Sequence, residues 1–312
     1  DPKARKFYLI DNGNIEIRNL SAVKLNNGEV LFFGGARGTI ESQSKVYIFN
    51  PKTNSFTYKV KMLIDRVRYA KALLNDGKVF IVGGKYIDYS WKTHSFSVKS
   101  TEFYNPKTNK FEKGPELPVE MPYMSKIIQL KNNDIYVFGC TFVDEYNCEE
   151  RIYKLANGSD SFEYIDKFPC SNDDIYKLKS EEIITFCGIS GNNKTVNKIV
   201  IFDPKTNEIK QKTLNLPDEF SSKTVLLPDD NLLFIASATG FATGYRKCKE
   251  VRIYDYKNDD LKILEKRFNA KRVWNAVATI LKDGNLLILI EDGSYKKPCK
   301  AEIYMFNNKI EQ

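Results

Sequence analysis

Short apolar runs bounded by polar turns recur along this chain. Val30-Leu31-Phe32-Phe33 follows Asn26-Asn27-Gly28-Glu29, and Val79-Phe80-Ile81-Val82 follows Asn75-Asp76-Gly77-Lys78. The same slot holds Ile135-Tyr136-Val137-Phe138, Ile183-Ile184-Thr185-Phe186, Leu232-Leu233-Phe234-Ile235 and Leu286-Leu287-Ile288-Leu289. Continuous apolar runs this short predict strands buried on both faces. A second strand precedes each run, as at Ser21-Ala22-Val23-Lys24-Leu25 and Ala70-Lys71-Ala72-Leu73-Leu74. A third follows a loop of variable length, as at Val46-Tyr47-Ile48-Phe49 and Glu102-Phe103-Tyr104. A fourth begins near Phe56, Phe111, Phe162 and Ile209.

A repeated phrase joins the third and fourth strands. Asn50-Pro51-Lys52-Thr53-Asn54 returns as Asn105-Pro106-Lys107-Thr108-Asn109 and as Asp203-Pro204-Lys205-Thr206-Asn207. Proline presets φ and the leading Asn or Asp caps the corner, so each phrase predicts a hairpin turn. Recurrence at roughly 50-residue spacing predicts a radial repeat. Four antiparallel strands, six times over, predict an all-β, six-bladed β-propeller.

Gly34-Gly35 and Gly83-Gly84, followed by the aromatic pairs Phe49/Phe56 and Tyr104/Phe111, resemble the diglycine and Tyr–Trp pair of kelch repeats. Asn75-Asp76-Gly77-Lys78-Val79 and Lys282-Asp283-Gly284-Asn285-Leu286 look most like bacterial kelch repeats. The resemblance covers essentially the whole chain and fades in the fifth and sixth repeats, where the diglycine is lost. Phe or an aliphatic residue stands where the family has tryptophan.

One domain over residues 1–312 is expected. Residues 1–10 read as the end of a repeat, and a strand near Phe7 would complete the last blade and cover its edge. The alternative is that Lys309-Ile310-Glu311-Gln312 closes that blade itself.

Hydrophobic residues make up 42% of the 312-residue chain and charged residues 28%, ordinary for a globular protein. The net charge of +8 is carried mostly by scattered lysines. It reads either as a solvated surface or as attraction to anionic peptides, glycans or surfaces. No nucleic-acid motif accompanies it, and no apolar run is long enough to span a bilayer. The first residue is Asp1 and not Met, which is compatible with removal of a signal or upstream segment that the sequence itself does not show; the location is open, with a leaning to secreted or cell envelope. A monomer is expected.

Six cysteines occur, none in a CxxC pair, which argues against a zinc ribbon or thioredoxin-like site. Cys140 and Cys148 flank one hairpin loop and are placed to bridge, and Cys248 and Cys299 hold similar positions in successive repeats. Free buried thiols are the other reading. The lone histidine, His94, lies in a polar segment read as a loop and cannot build a multi-histidine metal site. It thereby excludes the two-histidine copper centre of galactose oxidase, a kelch-type enzyme. Glycine-rich phosphate loops are absent. No cofactor is expected.

Arg18, Arg66, Arg68 and Arg272 each come just before the first strand of a blade, with Tyr123 and Trp274 in corresponding segments. The kelch resemblance implies that these residues lie near one mouth of the central channel, where arginines of kelch adaptors bind acidic peptides. Guanidinium forks suit carboxylates and sulfates. The other reading is that they hydrogen-bond neighbouring blades. Two functions follow. One is a non-catalytic scaffold for a protein or glycan ligand. The other is a metal-free enzyme acting on a small sugar, as in the kelch-type sialic acid mutarotases.

Overall fold

The structure is a computed structural model. It describes residues 21–37, 41–88, 94–144, 147–170, 174–189, 195–216, 220–238, 251–264, 275–280, 286–291 and 301–306. Every regular element among them is a strand. No helix there is long and apolar enough to cross a membrane. The chain divides into two compact units, residues 1–169 and 170–312.

The first unit holds three four-stranded antiparallel sheets. Sheet I comprises Ser21–Lys24, Val30–Phe33, Lys45–Asn50 and Ser55–Lys61. Sheet II comprises Ala70–Leu73, Val79–Val82, Thr101–Asn105 and Lys110–Lys113. Sheet III comprises Tyr123–Gln129, Ile135–Phe142, Cys148–Leu155 and Phe162–Lys167. In each, the strands pair in chain order. The second strands are buried on both faces, as their apolar runs require; Val79, Phe80, Ile81 and Val82 are all at 0% exposure. Leu31, Phe33 and Val46 pack with Tyr69, Ile81 and Tyr104 between sheets I and II. Phe80, Val82 and Leu117 pack with Val137 and Tyr153 between sheets II and III.

The second unit repeats the plan in sheets IV and V. Sheet IV is Ile175–Lys177, Ile183–Ile189, Thr195–Asp203 and Glu208–Thr213; sheet V is Phe220–Leu226, Leu232–Ala238, Val251–Asp255 and Asp260–Leu264. Ile184, Phe186, Leu232 and Phe234 form the apolar layer between them. Sheet VI has three described strands, Asn275–Ile280, Leu286–Glu291 and Ala301–Phe306. The expected closing strand near Phe7 and the alternative at 309–312 lie outside the described residues.

The repeated phrase forms the same turn each time. Asn50, Asn105 and Asp203 accept hydrogen bonds from the amides of Lys52, Lys107 and Lys205 at 2.9–3.0 Å. The closing Asn54, Asn109 and Asn207 take φ values of 52°, 56° and 58°, the left-handed region that Asn tolerates. The fifth repeat preserves the device in altered letters: Asp255 caps Lys257 and Asn258, and Asp259 takes φ 56°. Lysines such as Lys59, Lys61, Lys110, Lys113, Lys210 and Lys212 are exposed on the outermost strands. Lysine there discourages edge-to-edge pairing, which accounts for part of the scattered charge.

Two hairpins occupy loops that the sequence left undefined. Ala36–Arg37 pairs with Glu41–Ser42, and Lys85–Asp88 pairs with His94–Ser97. His94 is therefore in a strand, opposite Asp88, and not in an irregular loop. The buried Ser42 hydroxyl donates to the Ile87 carbonyl and accepts from its amide, fastening the hairpins together.

Disulfides join Cys140 to Cys148 and Cys170 to Cys187, with Cα separations of 5.7 and 5.5 Å. Cys248 and Cys299 lie outside the described residues.

Candidate functional site

The segment leading into sheet II places two arginines in opposite settings. Val67 pairs with Lys85 through reciprocal backbone bonds, its amide to the Lys85 carbonyl at 2.9 Å and the Lys85 amide to its carbonyl at 2.8 Å. Arg66, on one side of this bridge, is wholly buried. Its Nη1 donates to the carbonyls of Gly83 and Ser100, both at 3.0 Å. Its Nη2 donates to Ser100 Oγ at 2.9 Å and to Glu102 Oε1 at 2.5 Å. Burial lowers the Arg66 pKa and Glu102 offsets part of that effect. Every one of these partners belongs to sheet II or its loops, so Arg66 is a fastening of the blade.

Arg68, on the other side, is exposed and takes φ 57°, an unusual backbone state for an arginine. Its guanidinium carbon lies 4.9 Å from the centre of the Tyr123 ring. Lys85 approaches the same ring: its ammonium is 4.5 Å from the centroid and donates to the Tyr123 hydroxyl at 3.2 Å. That ammonium is also 5.4 Å from the Phe142 ring, which meets Tyr123 edge-on at 6.0 Å. Two cations and two aromatic rings thus converge, brought there by the bridge before sheet II and the first two strands of sheet III.

The electrostatics follow. The Lys85 hydrogen bond holds the Tyr123 phenol below its ordinary pKa, partial burial opposes this, and the Lys85 and Arg68 charges reinforce it. Neither Arg68 nor Lys85 has an ion pair among the described residues. Among the described residues the positive charge of the cluster is therefore uncompensated, and it lies beside aromatic surface, suited to a carboxylate, sulfate or phosphate. Its donors are cationic and poor ligands for a metal ion. Among the described residues no three His, Cys, Asp or Glu side chains converge as metal ligands would.

Of the six residues singled out from sequence, Arg68 and Tyr123 come together and Arg66 is turned inward. Arg18, Arg272 and Trp274 lie outside the described residues. Sequence reasoning missed Lys85 and Phe142. Lys85 directly follows Gly83-Gly84, and that diglycine was the available signal. Gly84, at φ +96°, lets the backbone pass so close that a Cβ would sit 2.5 Å from the Val67 carbonyl oxygen. This close passage sets Lys85 opposite Val67.

No family model matches the chain. A putative F-box/kelch-repeat protein of Arabidopsis thaliana is 28% identical over 159 residues, which is 46% of this chain and 42% of the plant protein. Among solved structures, a fungal alcohol oxidase of the AA5 family in complex with copper superposes with a TM-score of 0.66 at 14% identity. That match covers 91% of this chain and 60% of the oxidase. The structure of YjhT superposes with a TM-score of 0.61 at 14% identity, over 95% of this chain and 96% of YjhT. The chain therefore spans less than two thirds of the plant relative and of the oxidase, and the structural likenesses are likenesses of fold.

Proposed function

Since this chain is a kelch-repeat β-propeller protein, we propose that it works as a binding scaffold. Its ligand is an anionic group on a protein or glycan, gripped at the Arg68–Lys85–Tyr123–Phe142 cluster. The observation that carries this reading is the pair of cations without carboxylate partners among the described residues, set against one tyrosine ring. Arg18, Arg272 and Trp274 belong to the proposed mouth by their place in the repeat. The test is a glycan and peptide array probed with the wild-type chain and with Arg68→Ala/Lys85→Ala. Loss of the anionic hits in the variant, at unchanged melting temperature, is expected. For the wild type, added salt should weaken them, because exposed charges are screened within about 10 Å at 0.1 M salt. Retention of those hits by the variant would remove the cluster from the function.

One observation favours the second reading, a metal-free enzyme on a small acidic sugar. Lys85 donates to the Tyr123 hydroxyl at 3.2 Å, which sets a phenol beside an ammonium as the group to exchange a proton with a bound hydroxyl. Faster anomer exchange of sialic acid with the wild type than with Tyr123→Phe, followed by NMR, would support it. Equal rates would dismiss it.

A further inference from the structure

A second candidate site lies on the first unit, and none of its lining residues belongs to the Arg68–Lys85–Tyr123–Phe142 cluster. A crevice of about 620 Å³ opens between the segment that follows sheet II and the outer strands of sheet III. Pro118, Val119 and Val143 give it apolar walls, and Glu149, Arg151, Tyr164 and Lys167 line the rest with Tyr153. Val143 is 52% exposed and Tyr164 45%, and the neighbouring Phe142 is 43% exposed. Val143 and Tyr164 are two of the seven large hydrophobics exposed among the described residues, and such clustering on a surface marks a place of contact.

Among the described residues the charges there do not balance. Arg151 and Lys167 stand directly opposite each other across the third and fourth strands of sheet III. Like charges in that register repel. Among the described residues a single carboxylate serves both: Glu149 Oε1 accepts from Arg151 Nε at 2.9 Å and Oε2 pairs with Lys167 at 2.6 Å. Arg151 also lies over the Tyr164 ring, its guanidinium carbon 5.8 Å from the centroid. Lys167 reaches outward at the rim, its side chain 67% exposed. An incoming carboxylate can take Lys167 and leave Glu149 neutralised by Arg151. The walls are already fixed, which lowers the ordering cost of binding. Cys140–Cys148 clamps the hairpin that carries Val143, Asn147 hydrogen-bonds Asp144 at its tip, and the Thr141 hydroxyl donates to the Glu120 carbonyl at 2.9 Å.

We propose that this crevice binds an extended peptide with an apolar side chain next to an Asp or Glu. The apolar side chain fills the space between Pro118, Val119, Val143 and Tyr164, and the carboxylate pairs with Lys167. A saccharide would ask for several free acceptors, whereas both Glu149 carboxylate oxygens are taken, one by Arg151 Nε and the other by Lys167.

The test uses the full chain and a fluorescein-labelled, end-blocked hexapeptide of alternating Glu and Leu, read by anisotropy. A Lys-Leu counterpart and an acidic polysaccharide serve as rival probes. Saturable binding of the Glu-Leu peptide and not of the Lys-Leu peptide is expected; polysaccharide binding beside it belongs to the first cluster if Arg68→Ala/Lys85→Ala abolishes it. Lys167→Glu and Tyr164→Ala should each weaken it by about tenfold, and Arg68→Ala/Lys85→Ala should leave it unchanged. The proposal is overturned by absence of saturable peptide binding, by equal binding of the Lys-Leu peptide, or by binding of the polysaccharide alone. It is equally overturned if a folded Lys167→Glu or Lys167→Ala binds normally, or if the Arg68/Lys85 variant loses the peptide.

Discussion

Arg66 Nη2 and Glu102 Oε1 meet at 2.5 Å with both side chains shut off from solvent. Glu102 also accepts from the amides of Leu63 and Ile64, at 2.7 and 3.2 Å. The pair thus ties the segment between sheets I and II to the third strand of sheet II. Arg66→Met would strand a buried carboxylate, and we expect a loss of about 3–5 kcal/mol in urea unfolding. The apolar double replacement Arg66→Met/Glu102→Leu should recover much of it, because no charge is then left alone. A single-variant loss under about 1 kcal/mol would mean that the carboxylate finds solvent or a proton instead.

Gly84 has a similar standing among the backbone positions. Its φ of +96° is closed to most side chains, and the Val67 carbonyl blocks the Cβ position. Gly84→Ala should therefore cost more than the roughly 1–3 kcal/mol typical of backbone strain alone. It should also displace Lys85 and weaken ligand binding. Gly28, with φ +89° and open space around its Cβ position, is the comparison: Gly28→Ala carries the backbone cost without the collision. Equal melting temperatures for the two variants would refute the close-approach argument.

The framework of this fold was legible because it is written in local patterns. The apolar runs at 30–33, 79–82 and 183–186 all lie within second strands, and the Asn-Pro-Lys-Thr-Asn phrases all became hairpin turns. The site was less legible because its members meet through space. Arg66 and Arg68 read alike as letters, yet a bridge at Val67 sends one to Glu102, 36 positions away, and the other to Tyr123. The hairpin of Lys85–Asp88 and His94–Ser97 is held partly by Ser42 from another repeat, so its own polar sequence reads as loop. Cys140 and Cys148 could be matched across one hairpin. Cys170 and Cys187 are joined by the folding of sheet IV, and no local spacing marks them.

The Lys85–Tyr123 hydrogen bond can be tested by titration. Lys85 and Arg68 hold the phenol below the ordinary value of 10.0. Lys85→Ala should move the Tyr123 midpoint upward, followed by phenolate absorbance with Tyr123→Phe as the blank. Burial places Tyr69 and Tyr176 well above the ordinary value, so their signals fall at higher pH. The sign for stability is that of an acid whose folded pKa is depressed. Its contribution is full above the unfolded pKa and lost as pH falls through the folded one. Lys85→Ala should thus lose this contribution in the alkaline range, and at neutral pH the phenol should make no difference. An unmoved midpoint would show that the hydrogen bond does not persist in solution.

The two disulfides should differ in both strength and access. Cys140–Cys148 encloses a sequence separation of 8 and Cys170–Cys187 one of 17. Chain entropy then assigns them roughly 2.5 and 3 kcal/mol. Cys148 is exposed, whereas Cys170 and Cys187 are each only 4% exposed. Thiol exchange requires access to a sulfur, so a mild dithiol should open Cys140–Cys148 first. Alkylation and mass spectrometry should find Cys140 and Cys148 labelled before Cys170 or Cys187. Cys140 is also the cross-strand partner of Tyr123, and Phe142 is that of Cys148. Opening this bridge should therefore loosen the Phe142 wall beside Lys85, and anionic ligands identified on the array should bind the selectively reduced protein less tightly. Cys148→Ser should reproduce that weakening without reductant. Labelling of Cys170 and Cys187 first, or full affinity in Cys148→Ser, would separate the disulfide from the binding face.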